Sequence, residues 1–301
     1  GTELEPLVEL IDSRRHQVDI SLARFARARW RTRVSQFTSH LARDLLWRAL
    51  YGIQKLGGTL VADRYLKRGH RPGLPKDVAD SLQAALRPGD VLVVRKEYAL
   101  TNYFLPGYWP HAALYLGDAR TLATLGIQDH RDVRPRWAKL LDASLGGSTH
   151  RVLESMKDGV NIRPLESPFA SDSVVVLRPR LDGAEVAAAL ARGLGHEGKP
   201  YDFDFDFRRS DRLVCTEVVY RALDGVGPMN LPLIMRAGRP TLAGRDLIAL
   251  ASRREQFDVA AVYAPLLAEG IAQGDRALAL LDVGERRQQR LEESAAEIAP
   301  K

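Results

Sequence analysis

Cys215 is the only cysteine in this 301-residue chain, and the sequence places it where a thiol is reactive. It lies in the run Ser210-Asp211-Arg212-Leu213-Val214-Cys215-Thr216-Glu217-Val218-Val219-Tyr220-Arg221-Ala222-Leu223. Val214, Val218, Val219, Ala222 and Leu223 recur at helical spacing, and Ser210 and Asp211 are suitable N-caps. Cys215 is therefore expected in the first turns of a helix, where unpaired N–H groups and the helix dipole favour a thiolate. The thiolate is the nucleophilic form of cysteine. The alternative is a small buried hydrophobe with no chemistry.

A nucleophilic cysteine needs a base within hydrogen-bond reach, and the base needs a partner that orients it. Of the seven histidines, His16 and His40 fall in an N-terminal helical region, His70 and His196 in turns, and His130 and His150 flank an irregular stretch. His111 alone opens a β-rich run, His111-Ala112-Ala113-Leu114-Tyr115-Leu116, directly after the aromatic loop Tyr103-Phe104-Leu105-Pro106-Gly107-Tyr108-Trp109-Pro110. Strand alternation puts His111, Ala113 and Tyr115 on one face. An imidazole there is either a base at the rim of a cleft or a cap on a strand edge. Glu154 shares a face with Val152 and Met156 in the next apolar run. A carboxylate on an apolar face requires a partner. Either a neighbouring imidazole supplies it, or Glu154 reaches solvent from an edge strand. His150 and Glu154 lie well apart along a strand, and the remaining histidines offer no ligand set, so no metal is expected.

The elements that must position these residues follow from pattern. Leu4 to Lys55 reads as one long helix or two shorter ones, stopped by Gly57-Gly58. A helix over Lys76 to Leu86 ends in the turn Pro88-Gly89-Asp90. Strands are expected at Val91–Val94, His111–Leu116, Val152–Met156, Val160–Arg163 and Ser173–Leu177, with Lys157-Asp158-Gly159 as a hairpin turn. A helix from Gly183 to Leu194 carries the capping-box spacing Asp182/Glu185. The cysteine helix follows, then a Pro/Gly-rich loop from Gly225 to Pro240, a helix over Asp246–Ser252, a strand over Phe257–Tyr263 and a helix from Asp275 onward. This order suits an α+β domain with an antiparallel sheet.

Composition excludes several classes. No apolar run is long enough to cross a bilayer as a helix. One cysteine rules out an intramolecular disulfide and a cysteine-rich zinc site. The net charge of +6 comes largely from arginines in helical segments, such as Arg27, Arg29, Arg31 and Arg33. They form a solvated face or meet an anionic membrane or substrate. No aromatic-interleaved basic motif signals nucleic acid. The chain begins Gly1-Thr2-Glu3 without methionine, which reads as the scar of a removed tag and a cut-off native start. A bacterial envelope or periplasmic location follows if a signal was removed, a cytoplasmic one otherwise.

Four segments occur in a telling order: Arg87-Pro88-Gly89-Asp90-Val91-Leu92, His111-Ala112-Ala113-Leu114-Tyr115-Leu116-Gly117, Val152-Leu153-Glu154-Ser155 and Val214-Cys215-Thr216-Glu217-Val218-Val219. Together they resemble the circularly permuted NlpC/P60 hydrolases, the YiiX/YebB-like branch of the papain-like superfamily, over about Arg87 to Tyr263. Tyr201-Asp202-Phe203-Asp204-Phe205 resembles the family's Tyr-Asp-rich stretch ahead of the cysteine. In the permuted order the histidine precedes the cysteine, as here. The resemblance implies Cys215 as nucleophile, His111 as general base and acid, and Glu154 as the orienting residue. It also suggests that the Tyr201 hydroxyl assists at the oxyanion beside the Cys215 N–H, although a tyrosine next to Pro200 is equally explained by packing. Tyr108 and Trp109 are candidate substrate contacts.

Two features depart from the pattern. The interval from His111 to Glu154 exceeds what a hairpin needs, so residues 118–150 read as an insertion, with Trp137, Leu140 and Leu141 in a small helix that could lid the cleft. Were Glu154 not the orienting residue, Glu166 or Asp158 would stand nearest. The helical N-terminal region also lies outside the core pattern. The expected organisation is a helical extension over 1–86, a permuted papain-like catalytic domain over 87–265 with its antiparallel sheet packed on helices, and a helical tail over 266–301.

The expected function is a cysteine hydrolase of an amide or ester bond, peptide or acyl-lipid, acting through a thioester on Cys215 without a cofactor. The aromatic loop beside His111 tilts the reading toward an apolar or acyl substrate. An acyltransferase using the same thioester is one alternative. A non-catalytic scaffold, touching a membrane through the Arg-rich N-terminal helices, is the other, and the joint presence of Cys, His and Glu argues against it. The oligomeric state is left open.

Overall fold

The computed structural model describes residues 69–99, 108–145, 147–203, 205–236 and 238–298, all within one compact unit spanning residues 51–301. The N-terminal helices expected up to Lys55, their arginine faces, and the loop from Tyr103 to Gly107 lie outside the described residues.

The described elements, in chain order, are α1 (Lys76–Ala85), β1 (Val91–Arg95), β2 (His111–Gly117), α2 (Ala119–Thr124), α3 (Trp137–Leu141), β3 (Arg151–Met156), β4 (Gly159–Pro164), α4 (Glu166–Phe169), β5 (Ser173–Pro179), α5 (Gly183–Leu194), α6 (Cys215–Leu223), β6 (Ile234–Arg236), β7 (Arg239–Thr241), α7 (Gly244–Ser252), β8 (Phe257–Tyr263), β9 (Ile271–Ala272) and α8 (Gly274–Ile298). Seven strands form one sheet in the order β4-β3-β2-β1-β5-β8-β9. Every neighbouring pair in it is antiparallel. The fold is α+β, as the order of elements predicts.

The sheet is covered on both faces, which is why β1 and β5 read as continuous Val/Leu runs rather than alternating ones. Val91, Val93, Ala112, Leu114, Leu153, Val175 and Leu177 pack with Leu190, Leu194, Val218, Val219, Leu247 and Leu281 from the long helices. The intervening residues Leu92, Val94, Ala113, Tyr115, Val152, Val174 and Val176 pack with Val78 and Leu82 of α1 and with Leu165 and Phe169. Asp182 and Glu185 form the capping box that starts α5. The segment expected as a loop from Gly225 to Pro240 contains β6 and the start of β7, which form a separate hairpin. Its turn includes Gly238 at φ +77°.

Residues 118–150 hold α2, capped by the Asp118 side chain on the Thr121 N–H, and α3 where Trp137 to Leu141 predict a helix. Leu122, Ile127, Val133 and Leu140 join the core under the long helices. This excursion leaves the pairing of β2 with β3 intact, with Leu114 opposite Leu153 and Tyr115 opposite Val152.

The Gly89-Asp90 turn fixes the start of the sheet. Gly89 has φ +91°, a conformation glycine adopts without penalty. The Asp90 carboxylate accepts the Arg87 N–H at 2.8 Å and takes Arg178 bidentately, with Nε at 2.9 Å and Nη2 at 2.8 Å. Burial pushes the Asp90 carboxyl up, against the opposing pull of Arg178. Replacing Arg178 by methionine should strand this carboxylate and destabilise the fold by about 3 kcal/mol. Urea unfolding at neutral pH measures the loss, which should shrink at acid pH as Asp90 takes up a proton. An unchanged midpoint would show that the pair does not hold the turn.

Candidate active site

The residues ahead of α6 fix where its first turn begins. The Leu213 N–H donates to the Pro200 carbonyl at 3.0 Å. The Leu213 carbonyl accepts the Asp202 N–H at 3.3 Å and the Ser155 hydroxyl at 2.6 Å. Ser155 belongs to β3, so the chain entering the helix is tied directly to the sheet. Helix α6 then packs against β2, β3 and α5.

The expected caps are not used. The N-cap position is Val214, without a side-chain cap. Asp211 pairs instead with Arg209 at 2.9 Å, and the Ser210 carbonyl accepts Lys199 Nζ at 2.6 Å. The reason is that Leu213 is held in an extended bridge with Tyr201, which delays the helix to Cys215. A side-chain cap would have occupied a first-turn N–H. Without one, the Thr216 N–H and the Ala112 N–H at the head of β2 remain to favour the charged sulfur of Cys215 against its burial.

The sheet register brings His111 and Glu154 together. Extending the β2–β3 pairing by one step places Glu154 opposite Ala113, so His111 is its diagonal neighbour on the same face. His111 Nε2 lies 2.7 Å from Glu154 Oε2. The Glu154 side chain is 1% exposed and that of His111 27% exposed. The other Glu154 oxygen accepts the Ser167 hydroxyl and faces Arg163 Nε at 3.4 Å. With Nε2 engaged by the carboxylate, Nδ1 is the nitrogen left for Cys215, whose charge acts on the imidazole.

The electrostatics of the three groups are coupled. Burial opposes charge on Cys215, but the positive His111, its hydrogen bond, and the Ala112 and Thr216 N–H groups outweigh it and hold the thiol below its ordinary range. Burial likewise works against the His111 imidazolium, and Cys215 and Glu154 overcome it, raising His111. Burial would push the Glu154 carboxyl up, yet His111, Ser167 and Arg163 hold it down. The pair therefore favours thiolate and imidazolium together.

A narrow slot of about 40 Å³ adjoins Cys215. Trp109, Phe205, Phe207 and Leu242 supply apolar walls, with Pro110, Ala243 and Gly244 between them, and Thr216, Thr241 and Arg236 supply polar edges. Gly244 is required here, because a Cβ at that position would lie 2.2 Å from the Trp109 carbonyl. Arg236 grips Asp246 bidentately at 2.8 and 2.7 Å, and Asp246 accepts the Ala243 N–H at 2.7 Å. This locks the β6–β7 hairpin to α7 and so fixes one wall of the slot.

The other expected site residues are placed differently. Tyr108 is fully buried and does not line the slot. Its hydroxyl donates to Glu97 at 2.8 Å and Arg95 lies over its ring, because a tyrosine in the core must satisfy its hydroxyl. Tyr201 is half-buried, its ring edge-on to Phe203 and Phe205, and it is not among the slot's walls. Asp158 pairs with Arg163 and Glu166 accepts the Ser148 N–H, so neither stands in for Glu154. None of the described residues of 118–150 lines the slot; Leu122, Ile127, Val133 and Leu140 are spent in the core while Leu141 is exposed, so the expected lid does not form this wall. Ser167, Arg163, Phe207, Leu242 and the Arg236–Asp246 pair escaped the sequence reading. Only Gly244, directly ahead of the Asp246 helix, left a local signal. Among the described residues no group of three His, Cys, Asp or Glu side chains is arranged to hold a metal ion.

The family model for the permuted papain-like amidase enzymes, YaeF/YiiX, C92 family, matches residues 85–235. Among solved structures, the chain is similar to the crystal structure of metalloprotein yiiX from Escherichia coli O157:H7, with 17% identity, 64% of this chain and 91% of that chain covered, and a TM-score of 0.35. No curated protein matches. The family match spans half of the chain, from the start of the sheet through the cysteine helix, and by it this protein belongs to the permuted papain-like amidases of the YaeF/YiiX, C92 family and is a thiol hydrolase.

Proposed function

We propose that Cys215 is the nucleophile of this hydrolase, His111 its general base and acid, and Glu154 the group that orients His111. The observation that carries the reading is the hydrogen bond from the His111 imidazole to the buried Glu154 carboxylate, with the Cys215 thiol coupled electrostatically to the same imidazole. The Cys215 thiolate attacks the carbonyl carbon of an amide or ester, giving a tetrahedral oxyanion. The Cys215 N–H, first in the helix, donates to that oxyanion, and the Tyr201 hydroxyl is a second candidate donor. Collapse breaks the bond to the leaving nitrogen or oxygen, which takes the proton from His111 Nδ1. A thioester remains on Cys215. Neutral His111 then accepts a proton from water as the water attacks the thioester, and a carboxylic acid leaves with the thiolate restored.

The substrate reading is an apolar acyl group. The slot beside the sulfur is lined by Trp109, Phe205, Phe207 and Leu242 and is narrow, which suits an unbranched chain entering end-on better than a branched peptide side chain. Acyl-lipid esters and amides meet that description.

The pH dependence of Cys215 alkylation by iodoacetamide tests the pair. Because the thiol lies below and the imidazole above their ordinary values, labelling should already be rapid at neutral pH. It should fall only as acid protonates the thiolate. In His111→Ala, burial is opposed only by the Ala112 and Thr216 N–H groups, and labelling should shift to higher pH, toward the ordinary thiol pKa of roughly 8.5. Identical profiles in the two proteins would remove the pair from the mechanism.

Turnover tests the roles. Cys215→Ala should abolish hydrolysis of activated acyl esters and the acyl adduct seen by mass spectrometry. His111→Ala should lower kcat by about 10²–10⁴-fold. Glu154→Gln should lower kcat by less and leave KM nearly unchanged, since it touches no substrate. Across esters of increasing chain length, kcat/KM should rise with each methylene, and Leu242→Trp should flatten that rise while leaving the shortest ester unaffected. A chain-length series equally steep in Leu242→Trp would place the acyl group elsewhere.

A further inference from the structure

A second cavity, of about 500 Å³, opens between the end of α5 and the last turns of α6. It contains none of the Cys215 site. Its volume falls in the range of small-molecule sites, about 300–1,000 Å³. Three cations from separate segments line it: Arg192 on α5, Lys199 beyond it and Arg221 on α6. Such a convergence is self-repelling unless something anionic relieves it.

The protein only partly does so. Arg192 Nη1 donates to the Asp224 carbonyl at 2.9 Å and Lys199 Nζ to the Ser210 carbonyl at 2.6 Å, both neutral partners. Arg221 holds the buried Glu217 through Nε and Nη2 at 2.9 and 2.7 Å. The carbonyls of Gly195 and Glu197 past the end of α5 are covered by Arg136. Two carboxylates also border the cavity, and each has partners of its own. Asp224 Oδ1 accepts the Leu231 N–H at 2.8 Å, and Asp132 faces Arg131 at 3.4 Å and His130 at 3.7 Å. His196 lines the cavity with a buried Nδ1 that lacks any hydrogen-bond partner. Burial and the charges of Lys199, Arg221, Arg192 and Arg136 push its pKa down to about 4. Burial is the larger cause, and the cations add to it, although Arg221 is paired with Glu217 and Arg136 with Glu197.

We propose that this cavity is a phosphate-binding site, in which Arg192, Lys199 and Arg221 supply charge and His196 supplies a neutral hydrogen-bonding imidazole. A multivalent oxyanion with several acceptor oxygens is the chemistry that three convergent donors fit best. The phosphate has two possible sources, a soluble phosphomonoester or a lipid headgroup.

The test is direct binding to the full chain. Inorganic phosphate and glycerol phosphate are titrated by calorimetry, and vesicles of phosphatidylcholine with and without phosphatidic acid are tested by co-sedimentation. The imidazole resonance of His196 is followed by NMR against pH. It faces the cations Arg136, Arg192, Lys199 and Arg221; Asp132 and Asp224 line the same cavity, and the adjacent Glu197 pairs with Arg136 and Lys139. A bound anion should cancel part of that field and move the His196 titration to higher pH. Arg192→Ala and Lys199→Ala should each weaken binding about tenfold, the size of one charge-assisted hydrogen bond, and Lys199→Arg should retain it. Binding of the soluble probes identifies a phosphomonoester site. Binding only of phosphatidic acid vesicles, weakened by the same variants, identifies a headgroup site. Failure of every probe to bind, binding equal in the alanine variants, or an unmoved His196 in saturated wild type overturns the proposal. The wild-type His196 titration decides even where a variant folds poorly.

Discussion

The interaction on which the site depends is the hydrogen bond between His111 and Glu154 across the β2–β3 register. A carboxylate with its side chain 1% exposed is tolerated in a sheet only when its lone pairs are taken up. Here an imidazole and a hydroxyl take them up, and the Arg163 guanidinium faces the carboxylate at 3.4 Å. Because side chains alternate along a strand, a slip of one residue would carry Glu154 to the opposite face and leave both groups without partners. The register is held from the other end by the apolar partners Leu114–Leu153 and Tyr115–Val152. Core packing therefore sets the geometry of the proposed catalytic pair, and the long excursion between the strands leaves that register intact.

Cys215, the proposed nucleophile, reaches this pair by a different route. Helix α6 begins late, at Cys215, because Leu213 is bound to Pro200, Asp202 and Ser155. Ser155 is the next residue after Glu154, so one strand positions both the carboxylate and the approach to the cysteine helix. The uncapped first turn leaves N–H groups for the sulfur and for an incoming oxyanion. A stronger cap would stabilise the helix by roughly 1 kcal/mol and compete for the same donors. The other wall, from the Arg236–Asp246 pair to Gly244, packs against the Trp109 backbone at a distance only glycine permits.

Much of this was legible in the sequence. Strands β1 to β5 and β8, helices α1 and α5, and the cysteine helix follow from local period and turn residues, because those signals lie within a few residues of one another. The pairing of His111 with Glu154 was suggested by a carboxylate on an apolar face and by family order. What stayed hidden is non-local. Ser210 and Asp211 read as caps because the bridge between Leu213 and Tyr201 is invisible to a local window. Tyr108 read as a substrate contact because its partner Glu97 lies on the far side of a loop. The β6–β7 hairpin is too short for period to reveal. Ser167 and Arg163 become partners of Glu154 only once β4 folds back along β3.

Two histidines show why residue type alone could not have assigned the chemistry. Burial acts on both His111 and His196 to disfavour the imidazolium. At His111 the neighbouring Cys215 and Glu154 reverse that effect and favour the protonated ring, as the proposed acid role requires. At His196 the neighbours are Lys199, Arg221, Arg192 and Arg136, which reinforce burial and leave the ring neutral. The same side chain thus favours its protonated form at one end of α6 and its neutral form near the other. Only the sign of the surrounding charge differs, and that sign is set by which strands and helices the fold brings alongside.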